Sequence, residues 1–243
     1  MAEGDSISKP AAGTSGDSFD WLPLVLQTVD PLFPTGAYAH SLGLEEMARI
    51  GVVHNEATLR DFLHQQIIPA LTHHELPFLR FAWEAATRND LPGLIALDTE
   101  ISAWKLSREL REASTQLGTR RLRMLRQLSD RELLASFEQA ITRNEAAGHH
   151  LIVGALQYAT TPLQAALAAY FYQSLAGFGS AALKLIRIGQ EGCQRVLAEG
   201  LRSCPIAIAD SLTVPREDAG WFNPLLEIAS MRHERAFERL FIS

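Results

Sequence analysis

The sequence has few of the residues on which disulfide-bonded and cysteine-ligated metal proteins depend. Its 243 residues include only two cysteines, Cys193 and Cys204, and these do not form a Cys-x-x-Cys motif. Two cysteines are too few for a disulfide scaffold, and no signal-peptide pattern precedes them. We therefore expect a reduced, cytoplasmic protein in which the cysteines form neither a metal site nor a redox pair.

Lysine is scarce too, and basic charge does not dominate the chain. Only three of the 22 basic residues are lysines, and the formal net charge is -6. Nucleic-acid-binding domains are normally basic, and no helix-turn-helix pattern is present, so we expect no nucleic acid as a partner. One predicted helix carries an arginine cluster that forms either a solvated face or a docking surface for an acidic partner or a phosphate. The cluster consists of Arg108, Arg111, Arg120, Arg121, Arg123 and Arg126.

Motifs for catalysis are also missing. The sequence has no P-loop, no nucleophile elbow and no paired carboxylates in a suitable setting. Its eight histidines include no pair four residues apart, the spacing with which one helix face holds a metal ion. We expect no catalytic, cofactor or metal site. The alternative is a small metal-dependent or other helical enzyme that uses the region of Tyr38 and His40.

Residues 151–183 contain no charged side chain, which raises the question of a membrane span. Thr160, Thr161 and Pro162 interrupt this stretch, and its glutamines would lie at hydrocarbon depth. Many of its residues are Ala or Gly, which let neighbouring helices approach closely. We predict two central helices buried on nearly all sides and no membrane span, with Thr161 capping the second helix and Pro162 in its first turn.

Apolar residues recur every three or four positions along most of the remaining chain, which predicts an all-α protein. Residues 1–18 have almost no apolar content and are expected to form a disordered leader. Residues 19–243 are then a single domain, a bundle of about ten helices around the central hydrophobic pair. A core of this size needs no disulfide or metal to stabilise it.

Caps and helix breakers predict several boundaries in this bundle. A helix should begin at about Asn55 or Thr58 and end at His73, another should follow Pro77, and Asp90 with Pro92 should open a third. Ser129, with Glu132 three residues later, predicts a capping box. The other predicted elements are a helix over residues 179–188, a turn at 189–192, a helix over 193–201 and a last helix from Pro224 to Phe241.

A stretch near the amino end is built as a stiff loop followed by a helix. Two prolines and a glycine restrict the backbone of residues 30–36, which therefore form a shaped loop and not a flexible linker. Thr35 or Ser41 is placed to cap a helix that ends at Gly51. This helix carries Glu45 and Arg49 four residues apart, the spacing of an ion pair.

The polar groups of Tyr38, His40 and Ser41 lie where this loop meets the helix. Tyr38 and His40 are either half-buried packing residues with satisfied polar tips or groups that contact a partner. Free backbone N–H groups at the helix start also point outward there. A generic core does not require this arrangement.

Two segments resemble the UreF family of urease accessory proteins. The first is Phe-Pro-Thr-Gly-Ala-Tyr-Ala-His-Ser-Leu-Gly-Leu-Glu at residues 33–45, and the second is the ending Met-Arg-His-Glu-Arg-Ala-Phe-Glu-Arg-Leu-Phe-Ile-Ser at residues 231–243. Lys184 and Gln190 also match family positions, whereas Arg187 stands where the family more often has proline. The resemblance spans about residues 20–243.

This resemblance implies a non-catalytic scaffold of urease maturation. A UreF homodimer joins UreD, also called UreH, recruits the GTPase UreG and couples GTP hydrolysis to nickel delivery into the urease apoprotein. Nickel and GTP would then be handled by the partners. In the resulting hypothesis the C-terminal helix and the Tyr38 loop shape the UreD face, and Lys184 and Gln190 contribute to the surface that receives UreG. The candidate interface residues are Tyr38, His40, Ser41, Glu45, Lys184, Gln190, His233, Glu234, Arg239 and Phe241.

Overall fold

The computed structural model describes residues 19–30, 32–34, 41, 43–234, 240 and 241. All regular structure within these ranges is helical, which confirms the predicted all-α bundle. Residues 1–18, and with them the expected leader, lie outside the described ranges. The helices are α1 (Leu22–Val29), α2 (Leu44–Arg49), α3 (Glu56–Phe62), α4 (Ile68–Ala70), α5 (Leu76–Thr87), α6 (Leu91–Trp104), α7 (Arg108–Leu128), α8 (Glu132–Thr142), α9 (His150–Gln157), α10 (Leu163–Leu185), α11 (Gly189–Leu201), α12 (Cys204–Thr213) and α13 (Pro224–His233).

The charge-free stretch forms the centre of the bundle, as predicted, but Thr161 does not cap its second helix, because Pro162 occupies the cap position of α10. Helix α9 packs against both α5 and α7, and α10 packs against α11, α5 and α2. Every residue from Leu151 to Gln157 is buried, so this helix has no face in contact with water. None of the described helices is long and apolar enough to cross a membrane.

The chain from Glu56 to Thr87 is helical without a break, so the expected end near His73 is wrong. Two π-helical segments, Leu63–Ile67 and Leu71–Glu75, join α3, α4 and α5. Each segment is followed directly by a proline-containing turn, with Pro69 or Pro77 at the start of the next helix. A π turn shifts the hydrogen-bond pattern by one residue, which accommodates the missing proline N–H without ending the helix.

The predicted elements around residue 179 also need correction. Gly179 lies inside α10, where its missing side chain makes room for Cys193, so the glycine permits close packing and does not start a helix. The bend falls later, at Gly189, whose φ of 64° lies in the left-handed region. Helix α11 begins at that glycine, and residues 190–192 form its first turn. Helix α12 was not predicted.

Side-chain caps form at some of the predicted helix starts and not at others. Asn55 forms a reciprocal capping box with Thr58, and Asp90 accepts from the N–H of Gly93 at the start of α6. The capping box proposed at Ser129 does not form. Helix α8 instead follows Arg131, whose guanidinium donates to the carbonyl oxygen of Leu156 at 2.7 Å. A local sequence pattern does not reveal this contact between distant residues.

Candidate partner-binding site

The carboxylate of Glu45 joins the start of α2 to the C-terminal segment. Its Oε1 accepts the backbone N–H of Leu240 at 2.8 Å, and its Oε2 accepts that of Phe241 at 3.1 Å. Oε2 also lies 2.7 Å from Nε2 of His233. One side chain on the first turn of α2 therefore holds three groups from the other end of the chain.

His233 is placed between two carboxylates in a buried setting. Its Nδ1 lies 2.9 and 3.1 Å from the two carboxylate oxygens of Glu109, and its Nε2 faces Glu45. The imidazole is 3% exposed and the Glu109 side chain 7%. Carboxylates only accept hydrogen bonds, so the imidazolium form, with an N–H at each nitrogen, satisfies both contacts. We call Glu45, Glu109, His233, Leu240 and Phe241 the Glu45 junction.

The predicted ion pair between Glu45 and Arg49 does not form. Arg49 pairs with the buried Glu46 instead, with Nε to Oε2 at 2.6 Å and Nη2 to Oε1 at 2.7 Å. This pairing lowers the pKa of Glu46. Glu45 instead faces three donors across the junction. Together these contacts stabilise it more than an exposed ion pair with Arg49 on its own helix would.

Ser41 and Gly43 shape the start of α2. Ser41 is fully buried, and its Oγ accepts the N–H of Glu45 at 3.4 Å, but the residue at the cap position of α2 is Gly43 and not Ser41 as predicted. Gly43 has a φ of 80°, and a Cβ there would lie 3.2 Å from Leu226 and 3.7 Å from Ala229. The glycine thus lets α13 approach the backbone of α2.

Phe241 and Lys184 extend the junction to α10. The Phe241 ring is 4% exposed, and Nζ of Lys184 lies 5.3 Å from its centroid, the geometry of a cation–π contact. Phe241 is therefore an anchor for the C-terminal segment within this chain, not a surface side chain. It is also not helical, because α13 ends at His233, earlier than predicted.

Helix α13 is fixed against the start of α7. Nε of Arg108 donates to Glu234 at 3.0 Å, and the N–H of Ser107 donates to Glu227 at 3.2 Å. The hydroxyls of Ser107 and Ser230 lie 2.8 Å apart. Burial raises the pKa of Glu227. These contacts hold one face of α13 against the start of α7, so the opposite face of the helix points outward.

The outward face of α13 is apolar. Leu225, Ile228 and Met231 recur every three residues and are 40%, 50% and 45% exposed, and Phe222 just before the helix is 63% exposed. We call these four residues the apolar stripe. The sequence signal for this exposed stripe is that α13 has more apolar residues than a single face of a helix can bury.

The other candidate residues fall into two groups. Gln190 is exposed in the first turn of α11 and takes no part in the hydrogen bonds of the Glu45 junction. Tyr38, His40 and Arg239 lie outside the described residues. Within the described ranges, no group of three or more His, Cys, Asp or Glu side chains is arranged to hold a metal ion.

Comparisons with known proteins agree with these features. The UreF family model matches residues 53–200. Curated proteins named urease accessory protein UreF include one from Actinobacillus pleuropneumoniae, 31% identical over 224 residues that cover 91% of this chain and 99% of the relative. One from an Arthrobacter strain is 33% identical and covers 89% and 95%, and one from Haemophilus influenzae is 31% identical and covers 96% and 100%. The chain therefore belongs to the UreF family of urease accessory proteins.

Proposed function

We propose that this chain is a non-catalytic scaffold of urease maturation that binds UreD (UreH) and recruits the GTPase UreG. The chain acts as a cytoplasmic homodimer and has no cofactor of its own, since its partners carry nickel and GTP. GTP hydrolysis by UreG then drives nickel insertion into the urease apoprotein. Family membership supports the accessory role, and the apolar stripe beside the Glu45 junction is the observation that carries the docking part.

The apolar stripe supports assignment of the UreD surface to α13. Four large apolar side chains exposed side by side are unusual on a protein that acts alone, and they mark an interaction surface. Burying them yields roughly 25 cal/mol for each Å² of apolar area. The opposite face of α13 is already held by Glu227, Ser230 and His233, so a partner meets a helix of fixed orientation.

Capture of UreD tests this surface. Ile228→Asp and Met231→Asp each place a charge in the stripe without touching the core, and we expect each to weaken UreD capture at least tenfold in a pull-down. Ile206→Asp is the matched control, because Ile206 is an apolar side chain 68% exposed on α12. Deletion of residues 232–243, which removes the C-terminal half of the junction, should abolish capture. Unchanged capture by the stripe and deletion variants would refute the assignment.

Lys184 and Gln190 remain the proposed contribution to the UreG surface. Both are exposed, and they are separated by the bend between α10 and α11. The contact of Lys184 with Phe241 links this surface to the junction. A scaffold that joins the two binding regions would let binding of a partner at one region change the affinity of the other region for its partner.

Size-exclusion chromatography of the co-expressed chain, UreD and UreG with GTP tests this second surface. Lys184→Ala and Gln190→Ala should release UreG and keep UreD bound, whereas Arg143→Ala, at another exposed position, should leave the complex intact. Phe241→Leu keeps an apolar anchor and removes the ring, so it separates loss of the cation–π contact from loss of a UreG contact. Retention of UreG by Lys184→Ala would end this assignment.

A further inference from the structure

A cavity between α7 and α10 holds a buried arginine that the proposed scaffold function does not use. Its volume is about 120 Å³, and its lining includes Arg121, Lys105, Glu75, Tyr170 and Gly177. The volume exceeds what a single water needs and accommodates a small anion of about four heavy atoms. The cavity is separate from the residues of the Glu45 junction and the apolar stripe.

Arg121 lacks the partners that a buried guanidinium requires. The residue is 6% exposed, and its Nη2 makes one long hydrogen bond of 3.4 Å to Gln173. Among the described residues, Nη1 has no hydrogen-bond partner and no carboxylate forms an ion pair with the guanidinium. Burial lowers the pKa of Arg121, yet an arginine in a protein remains charged. An uncompensated buried charge is strongly destabilising unless something pairs with it.

The other charged groups of the cavity do not supply this pairing. The Glu75 carboxylate accepts the hydroxyl of Tyr170 at 2.9 Å, and that hydroxyl also contacts His150 at 2.8 Å. Lys105 is half-buried and adds a second positive charge to the lining. Lys105 also lies near the carboxylate of Glu227, so the charge left without a partner in the cavity is that of Arg121, which a monovalent anion would neutralise.

We propose that this cavity binds a small monovalent carboxylate, of the size of acetate, against the guanidinium of Arg121. A planar carboxylate fits a guanidinium because two parallel N–H groups can donate to its two oxygens. Lys105 adds attraction, and the apolar part of the lining, which includes Leu110, Ala113 and Leu117, lowers the local polarity and strengthens the contact.

Thermal unfolding of the full chain with added sodium acetate tests the proposal. Sodium chloride at equal ionic strength is the reference, because chloride lacks the two oxygens of the bidentate contact. At ten times its dissociation constant, acetate should raise Tm by about 3 to 5 °C over the reference. Arg121→Met should remove this shift, whereas Arg123→Met, at an exposed position on the same helix, should keep it.

A second variant closes the cavity without altering Arg121. A Cβ at Gly177 meets no atom within 4 Å, so Gly177→Leu can project into the cavity while α10 stays intact and its helix propensity rises. We expect Gly177→Leu to fold and to lose the acetate-dependent rise in Tm. This result tests acetate binding in the cavity even if Arg121→Met does not fold. No acetate shift in the wild type, or an equal shift in Gly177→Leu, would overturn the proposal and leave water as the partner of Arg121.

Discussion

Glu45 is the side chain on which the C-terminal segment depends most directly. Its two oxygens accept hydrogen bonds from Leu240, Phe241 and His233, and its side chain is 11% exposed. The donors of Phe241 and His233 would be left unsatisfied in a half-buried place if the acceptor were removed, whereas the N–H of Leu240 is exposed. The loss of such an acceptor costs roughly 1–3 kcal/mol for each buried donor.

Replacement of Glu45 by Gln should therefore destabilise the protein despite its equal size. The amide keeps one acceptor oxygen but turns an N–H₂ toward a donor, and it removes the negative charge beside His233. We expect a loss of about 2–4 kcal/mol in the free energy of unfolding, measured by urea denaturation. Glu112→Gln, on the exposed side of α7, should change stability by less than about 0.5 kcal/mol. Equal midpoints for Glu45→Gln and the wild type would contradict the role of the junction.

At the scale of the element, α2 and α13 are held together by backbone shape as well as hydrogen bonds. Gly43 and Gly51 have nearly equal left-handed φ values of 80° and 78°. A Cβ at Gly43 would meet Leu226 at 3.2 Å, whereas one at Gly51 would meet nothing within 4 Å. The two glycines thus separate the cost of the backbone conformation from the cost of helix contact.

Gly43→Ala should accordingly cost more than Gly51→Ala. Both variants place a Cβ in the left-handed region, which costs roughly 1–2 kcal/mol. Only Gly43→Ala also pushes α13 away from α2, and we expect about 1 kcal/mol more in the free energy of unfolding, together with weaker UreD capture. Urea denaturation of the two variants measures the difference. Equal losses would show that the approach of α13 imposes no constraint.

The sequence predicted the elements better than it predicted their limits. Apolar periodicity and helix breakers predicted the helix starts near Asn55 and Asp90, because these signals are local. The continuous helix through Pro77 and the start of α8 at Arg131 depend on π turns and on a contact with Leu156. Such distant determinants leave no periodic pattern in the chain.

The candidate site divides in the same way. Motif resemblance brought Ser41, Glu45 and His233 together before their contacts were known. The four-residue spacing of Glu45 and Arg49 predicted an ion pair that does not form, because Glu45 instead faces His233, 188 residues away in the chain. The apolar stripe was missed because periodicity reports an apolar face but does not report whether the fold covers it.

At the scale of the whole molecule, the buried His149 and the half-buried His74 make stability depend on pH. Burial lowers the pKa of both His74 and His149 from 6.5 to about 3. His149 is held by the hydroxyls of Ser102 at 2.7 Å and Ser114 at 2.9 Å. The folded protein keeps both rings neutral, whereas the unfolded chain binds protons below pH 6.5, so stability is lost as the pH falls from about 6.5 toward 3.

We expect each histidine to lower the free energy of unfolding by about 1.4 kcal/mol per pH unit within this window. Urea denaturation between pH 6 and pH 4 measures the slope. His149→Gln can keep hydrogen bonds to the two serines and should reduce the slope by about the contribution of one histidine. An unchanged slope in His149→Gln would mean that the buried ring is protonated in the folded state.

The Glu45 junction also has a consequence for the order of folding. Glu45 and Leu240 are 195 residues apart along the chain, and closing so long a loop carries a large entropic cost before any bond repays it. The helical core has more local contacts and should therefore fold first, and the C-terminal segment should dock onto it last. The amide hydrogens of Leu240 and Phe241 should then exchange with deuterium faster than those of α9, so that detachment of the segment can be followed while the core remains closed.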